Sequence, residues 1–199
     1  MMKIFGVIFF SFVSAMALAQ NGSSSVFDLK KQIDSEGIEI YETNTQMRNF
    51  KKFGVGAQVG GVAGTFGVNG ELNLENLNTL IVGIGMGQSY NTFNVRWKKS
   101  LESQYLSPFA TAGYSKWYNS GDSSKTYNES EILKRVLTED EKREGRFGAD
   151  FLVGSLGLEY NQLEGEMSGV TFYGELVLLM EAKRASVVPT GSVGISYLF

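Results

Sequence analysis

The chain has 199 residues, no Cys and no His, and a formal net charge of -3. A disulfide framework, a thiolate or imidazole metal site and a His general base are therefore all excluded, and the near-neutral, slightly acidic balance gives no electrostatic footprint for nucleic acid. The 24 glycines exceed the ordinary share of about 7%, and together with 2 prolines and many aromatic residues they speak against a disordered chain.

At the N-terminus, Lys3 supplies a positive region, Ile4 to Val13 an apolar run, and Ala17-Leu18-Ala19 a small-x-small cleavage site before Gln20. This arrangement predicts a signal peptide over 1–19, too short to span a bilayer. Roughly 180 residues remain, the size of one domain. No later apolar run is long enough for a transmembrane helix.

Residues 20–51 are polar. Ser25 is placed to cap a short helix with Val26, Leu29 and Ile33 on one face, Gly37 ends it, and Ile38 and Ile40 alternate like a strand. Two readings stay open for this segment: a partly ordered periplasmic lead-in, or one that docks at the mouth of a barrel formed by the rest of the chain.

From Lys52 onward, segments of alternating hydrophobicity are separated by turn residues. The first is Lys52 to Val59, with Phe53, Val55, Ala57 and Val59 facing one way; Gly60-Gly61 predicts a two-residue hairpin. The second, Val62 to Leu74, sets Val62, Phe66, Val68 and Leu72 against Gly67, Asn69, Glu71 and Asn73. The third, Thr79 to Gln88, sets Leu80, Val82, Ile84 and Met86 against glycines. The fourth, Thr92 to Leu101, alternates Phe93, Val95 and Trp97 with Asn94, Arg96 and Lys98. The fifth, Leu106 to Tyr118, has ambiguous faces. In the sixth, Phe147 to Tyr160, Ala149, Phe151 and Val153 are out of phase with Leu156, Leu158 and Tyr160, which predicts a bulge near Gly154 to Gly157. The seventh, Val170 to Lys183, sets Phe172, Leu176, Leu178 and Met180 against Tyr173, Glu175, Glu181 and Lys183.

The eighth segment, Val187 to Phe199, places Val193, Ile195, Tyr197 and Phe199 opposite Ser192, Gly194 and Ser196. Its end, with Ser192, Gly194, Tyr197 and a terminal Phe199, resembles the C-terminal signal of bacterial outer-membrane β-barrels, and the span from Lys52 resembles the small OmpA/OmpX-type barrels. That resemblance implies recognition by the barrel-assembly machinery. It also implies an all-β, eight-stranded antiparallel up-and-down transmembrane barrel in the cell outer membrane, in contact with membrane lipid and lipopolysaccharide. A monomer without cofactor is expected. With the C-terminus in the periplasm, the connections after odd strands fall outside the cell, and the longest, 119–146, comes after strand five, where long loops of such barrels lie.

The polar face of the alternation is mostly Gly, Ser, Thr, Asn and Gln, which suits a narrow, side-chain-filled lumen more than a water-facing surface. Glu71, Arg96, Lys98, Asp150, Glu159, Glu175, Glu181 and Lys183 are the charges assigned inward, where desolvation predicts pairing across the lumen. The inward glycines 54, 56, 67, 83, 85 and 87 would leave strands one to three thinly filled. Phe53, Tyr90, Phe93, Tyr160, Tyr197 and Phe199 are candidates for interfacial girdles. In the long loop Asn128-Glu129-Ser130 matches a glycosylation pattern by chance, and Ile132, Leu133, Val136 and Leu137 recur at helical spacing after Ser130, predicting a short surface helix or a partner contact. Barrel enzymes of the envelope depend on a His, so the expectation is a non-enzymatic protein with a structural or surface-interaction role and a closed lumen; the alternative is a small channel for ions or small solutes.

Overall fold

The computed structural model describes residues 32–33, 39–119 and 130–199. The predicted signal peptide and the predicted helix start at Ser25 lie outside these residues, as does Asn128. Two short strands, β1 (Gln32–Ile33) and β2 (Glu39–Ile40), pair antiparallel and precede a helix, α1 (Asn44–Phe50). Ile33 is thus extended and not helical. Thr43 caps α1 by accepting a hydrogen bond from the Gln46 N–H, so the helix begins where a hydroxyl can satisfy an orphan donor.

Eight strands form the rest: β3 (Phe53–Gly60), β4 (Phe66–Asn73), β5 (Asn78–Gly87), β6 (Tyr90–Ser100), β7 (Leu106–Asn119), β8 (Phe147–Asn161), β9 (Val170–Glu181) and β10 (Val187–Leu198). Each pairs antiparallel with its sequence neighbour, and β10 closes on β3 from Leu198↔Gly54 to Ser192↔Gly60. Both edges of each of these eight strands are therefore paired. One end of the barrel, the terminus end, carries the C-terminus and α1, and the other, the loop end, carries the β7–β8 connection.

Within the loop-end connection, α2 (Glu131–Val136) is capped by Ser130 and α3 (Glu139–Glu144) by a reciprocal Thr138–Glu141 capping box.

Three expectations are corrected. The β3–β4 connection is longer than a two-residue hairpin: positive φ at Gly60, Gly61 and Gly64 lets the chain fold inward as a single 3-10 turn, Gly61–Ala63, before β4 begins at Phe66. Val62 is consequently buried and does not belong to a lipid-type face.

No bulge interrupts β8. Its register against β7 runs unbroken from Leu106↔Tyr160 to Asn119↔Phe147, and against β9 from Phe151↔Glu181 to Asn161↔Thr171. The change of phase in hydrophobicity is instead a change in what the lumen contains: Phe147, Ala149, Phe151 and Val153 point inward at the loop end, while Leu152, Leu156, Leu158 and Tyr160 point outward.

The third correction concerns Tyr90, which is buried against Trp117 inside the barrel, whereas Phe53, Phe93, Tyr160, Tyr197 and Phe199 are exposed.

Candidate functional site: the filled lumen

Inward positions of the strands form two unlike halves. The terminus half holds a polar network centred on two carboxylates. Glu175 on β9 accepts from Arg96 Nη1 at 2.8 Å, from Ser192 Oγ at 2.8 Å and Gln58 Nε2 at 3.1 Å on one oxygen, and from Ser155 Oγ at 2.6 Å on the other. Arg96 also reaches Gln58 Oε1 at 3.0 Å and Asn94 Oδ1 at 3.3 Å. Five strands thus meet at one carboxylate or its arginine, which is what makes burying the pair tolerable.

The second carboxylate, Glu159 on β8, is fully buried. It accepts from Lys98 Nζ at 3.1 Å, from Ser100 Oγ at 2.8 Å and from Arg48 Nη2 at 2.9 Å. Lys98 is also 3.5 Å from Glu71 and lies over the Phe109 ring. Three acids (Glu71, Glu159, Glu175) and three bases (Arg48, Arg96, Lys98) therefore balance within this network.

The sixth of these groups was not visible to strand periodicity. Arg48 comes from α1, which enters the terminus end with Asn44, Met47 and Arg48 all buried. For α1, the described end of that segment, the docked position is the one observed. Asn44 Nδ2 donates to Leu101 O and Ser107 Oγ, while Asn44 and Ser103 exchange two further bonds of 3.0 Å. Tyr41, Met47, Leu163 and Leu198 make a small apolar core beside it. The Tyr41 hydroxyl is held above the usual tyrosine range by burial and by its hydrogen bond to Glu39.

Of the other charges assigned inward, Glu181 is buried at the loop-end rim and accepts from the Arg184 N–H, away from the two carboxylate centres. Asp150 and Lys183 are not in the lumen. Asp150 sits on the outward row of β8, opposite Lys116 of β7, and takes a hydrogen bond from the Tyr114 hydroxyl. Lys183 is exposed in the β9–β10 turn, because β9 ends at Glu181. Ser192, read as part of an assembly signal, also binds Glu175. Gly194 leaves room for the inward Tyr173 ring, which a Cβ there would meet at 2.4 Å.

The loop half of the lumen is apolar. Val62, Tyr90, Trp117, Phe147, Ala149, Phe151, Val153, Val177, Leu179 and Val188 join Leu133, Val136 and Leu137 of the β7–β8 connection in one buried cluster. The predicted surface helix is therefore a lid, its apolar face spent on the barrel mouth. Its covered face offers no site for a partner.

Nor are the glycine-rich strands thinly filled. A Cβ on Gly85 would lie 2.3 Å from the Ala63 carbonyl oxygen, and one on Gly87 would fall 1.9 Å from the Tyr90 ring. These positions are glycine because the inward 3-10 turn and Tyr90 occupy the space. Within the polar network lies a cavity of about 10 Å³ among Glu71, Arg96, Lys98, Phe109, Tyr173 and Glu175, room for about one water.

The outward face is the inverse. Val55, Ile84, Leu176 and Val193 are 56%, 61%, 77% and 62% exposed, and apolar side chains recur around the whole circumference. Lys99, Lys116 and Asp150 are the charges among the outward strand residues.

The class these features define is a closed eight-stranded antiparallel up-and-down barrel with the architecture of the small OmpA/OmpX-type barrels. No family model and no curated protein matches the chain. Among solved structures it is similar to the N-terminal β-barrel domain of Pseudomonas aeruginosa OprF, with TM-score 0.48 and 13% identity over 73% of this chain and 96% of that one. It is similar also to the Yersinia pestis outer membrane protein Ail, with TM-score 0.39 and 11% identity over 74% of this chain and 98% of that one.

Proposed function

We propose that the chain is an outer-membrane β-barrel protein with a structural or surface-interaction role and a lumen closed to solutes. The observation that carries this reading is the inversion of the barrel: an unbroken apolar belt outside, and ion pairs with a separate apolar plug inside. A water-soluble monomer rarely exposes a contiguous apolar patch above a few hundred Å², whereas a closed barrel in a bilayer needs such a belt and has all its backbone groups paired. Phe53, Phe93, Trp97, Tyr160, Tyr197 and Phe199 lie on this face and supply aromatic rings for the two interfaces.

In this reading residues 1–19 are a signal peptide, 20–51 a periplasmic lead-in that ends inside the barrel, and 52–199 the barrel, with the 119–146 loop at the cell surface. Its partners are outer-membrane lipid and lipopolysaccharide, and the barrel-assembly machinery during biogenesis. The chain acts as a monomer without catalysis. A channel is disfavoured by the filling of both halves, since eight strands enclose a space about wide enough for side chains alone.

The test is membrane fractionation followed by electrophoresis with and without boiling. Recovery with the membrane and a slower-migrating boiled form are expected, and a soluble protein with one mobility in both conditions overturns the barrel reading. Planar-bilayer recording tests closure: reproducible single-channel steps from the parent protein would overturn it.

A further inference from the structure

The Arg48 side chain is held as a ligand is held. Its Nη1 donates to Asn73 Oδ1 at 3.1 Å and to Thr79 Oγ1 at 3.0 Å, and its Nη2 donates to Glu159 Oε1 at 2.9 Å. The acceptors stand on β4, β5 and β8, so the barrel alone builds all three sides of the pocket. Thr79 Oγ1 donates in turn to Asn73 Oδ1 at 2.8 Å, which aims both oxygens at the cation. Among the described residues Arg48 Nε has no acceptor, so the grip is on the two terminal Nη nitrogens of the guanidinium. With Arg48 withdrawn, Glu71 and Glu159 would share the single cation Lys98, leaving a buried negative charge that calls for a replacement.

We propose that the terminus end of the barrel is a binding pocket for a small alkylguanidinium ligand, occupied intramolecularly by Arg48, so that α1 is a displaceable plug. The geometry selects guanidinium over ammonium, because a planar fork reaches separated acceptors at once and a point charge does not. This inference rests on the barrel and its interior and holds whether or not the lumen conducts.

The chain has no Cys, so a single thiol reports on the plug. Thr45 lies on α1 with a buried hydroxyl that has no partner among the described residues, and Thr45→Cys replaces it at little cost. In the full mature chain in detergent micelles, the thiol of Thr45→Cys should react slowly with a maleimide, and millimolar methylguanidinium should accelerate it by competing with Arg48. Methylammonium at the same concentration should leave the rate unchanged. Adding Arg48→Ala should raise the uncompeted rate by roughly tenfold, the worth of about one charge-assisted hydrogen bond, and methylguanidinium should then raise the Tm of that variant. Equal effects of the two ions, or no effect of either on the chain with Arg48 in place, overturn the proposal. If Arg48→Ala does not fold, the competition measured with Arg48 present decides alone, and heat-modifiability of the same sample separates a failed pocket from a failed barrel.

Discussion

The Tyr90 ring stacks on Trp117 inside the barrel, with centroids 5.0 Å apart and planes inclined by 12°. Phe151 meets Trp117 edge-on at 5.5 Å, so the indole is the centre of the loop-end plug. Trp117→Ala should remove that centre at a cost of about 3–5 kcal/mol, and because the same cluster includes Leu133 and Val136, the α2 lid should loosen with it. Urea unfolding in micelles measures the first effect and amide exchange over 131–137 the second. An unfolding midpoint equal to that of the parent would show that the plug contributes nothing to stability.

Breaking the Arg96–Glu175 pair should be worse than removing it. Both side chains are buried, so either Arg96→Ala or Glu175→Ala leaves a desolvated charge at a cost of about 3–5 kcal/mol. Arg96→Met with Glu175→Leu should cost less than either single change, as a double-mutant cycle in unfolding free energy would record. In bilayers, conductance steps in Glu175→Ala that are absent in the parent would mark the pair as part of the seal; the apolar plug above it predicts that such steps stay small and rare.

Outward faces were legible because period-two alternation is a direct consequence of strand geometry. Leu80, Val82, Ile84 and Met86 on β5, and Val193, Ile195 and Tyr197 on β10, sit where that period puts them. The interior was less legible for three physical reasons. An apolar residue gives the same signal whether it meets lipid or a dry lumen, so Phe151 and Val153 read as a phase error. The lumen is filled partly by segments that are not strands, the Gly61–Ala63 turn, α1 and α2, and strand periodicity carries no information about them. The ambiguity of apolar residues also misplaced Asp150, whose neighbours Ala149 and Phe151 face the lumen, and Lys183 was misplaced because the strand ends two residues before it. Arg48 had one available signal, a cation four residues after an Asn that comes directly after a capping Thr, but nothing in that spacing says that the helix turns into a barrel.

Glycines of the inner wall predict a steric result. Gly87→Ala would drive a Cβ into the Tyr90 ring, and Gly85→Ala into the Ala63 carbonyl. The second should be the more damaging, since backbone cannot swing away as a ring can. Gly70→Ala, where a Cβ meets nothing, serves as the control and should be neutral. Folding yield of the three variants in micelles ranks them; a poorly folding Gly70→Ala would mean that glycine acts here through backbone conformation and not through space.

A pH response is expected in the loop. Burial pushes the Glu141 carboxyl up, but hydrogen bonds from the Thr138 N–H and hydroxyl, with Arg184 beside it, outweigh burial and leave it below the usual carboxylate range. Its folded-state value is therefore depressed, so the capping box is fully stabilising above the unfolded carboxylate pKa and is lost as pH falls through the lower folded value. The protection factor of the Gly145 amide, which closes α3 on Glu141 O at 3.0 Å, should fall as pH drops through that acidic window and stay level above it. Glu141→Gln should remove the pH dependence.

Phe199 and Phe53 exchange two backbone bonds across the closing seam, Phe199 N–H to Phe53 O at 2.8 Å and Phe53 N–H to Phe199 O at 3.3 Å, while the Phe199 ring stays 56% exposed. Deleting Phe199 therefore removes one rung of the β10–β3 ladder and an outward ring, a loss that the remaining seven pairs from Leu198↔Gly54 to Ser192↔Gly60 should tolerate in a test tube. If the terminal aromatic is also read by assembly machinery, the deletion should lower the folded yield in cells far more than the yield of refolding into micelles, and Phe199→Trp should restore both. Parallel losses in the two settings would make Phe199 a seam residue only. Normal yield in cells would remove the terminal signal from the account of how this barrel is inserted.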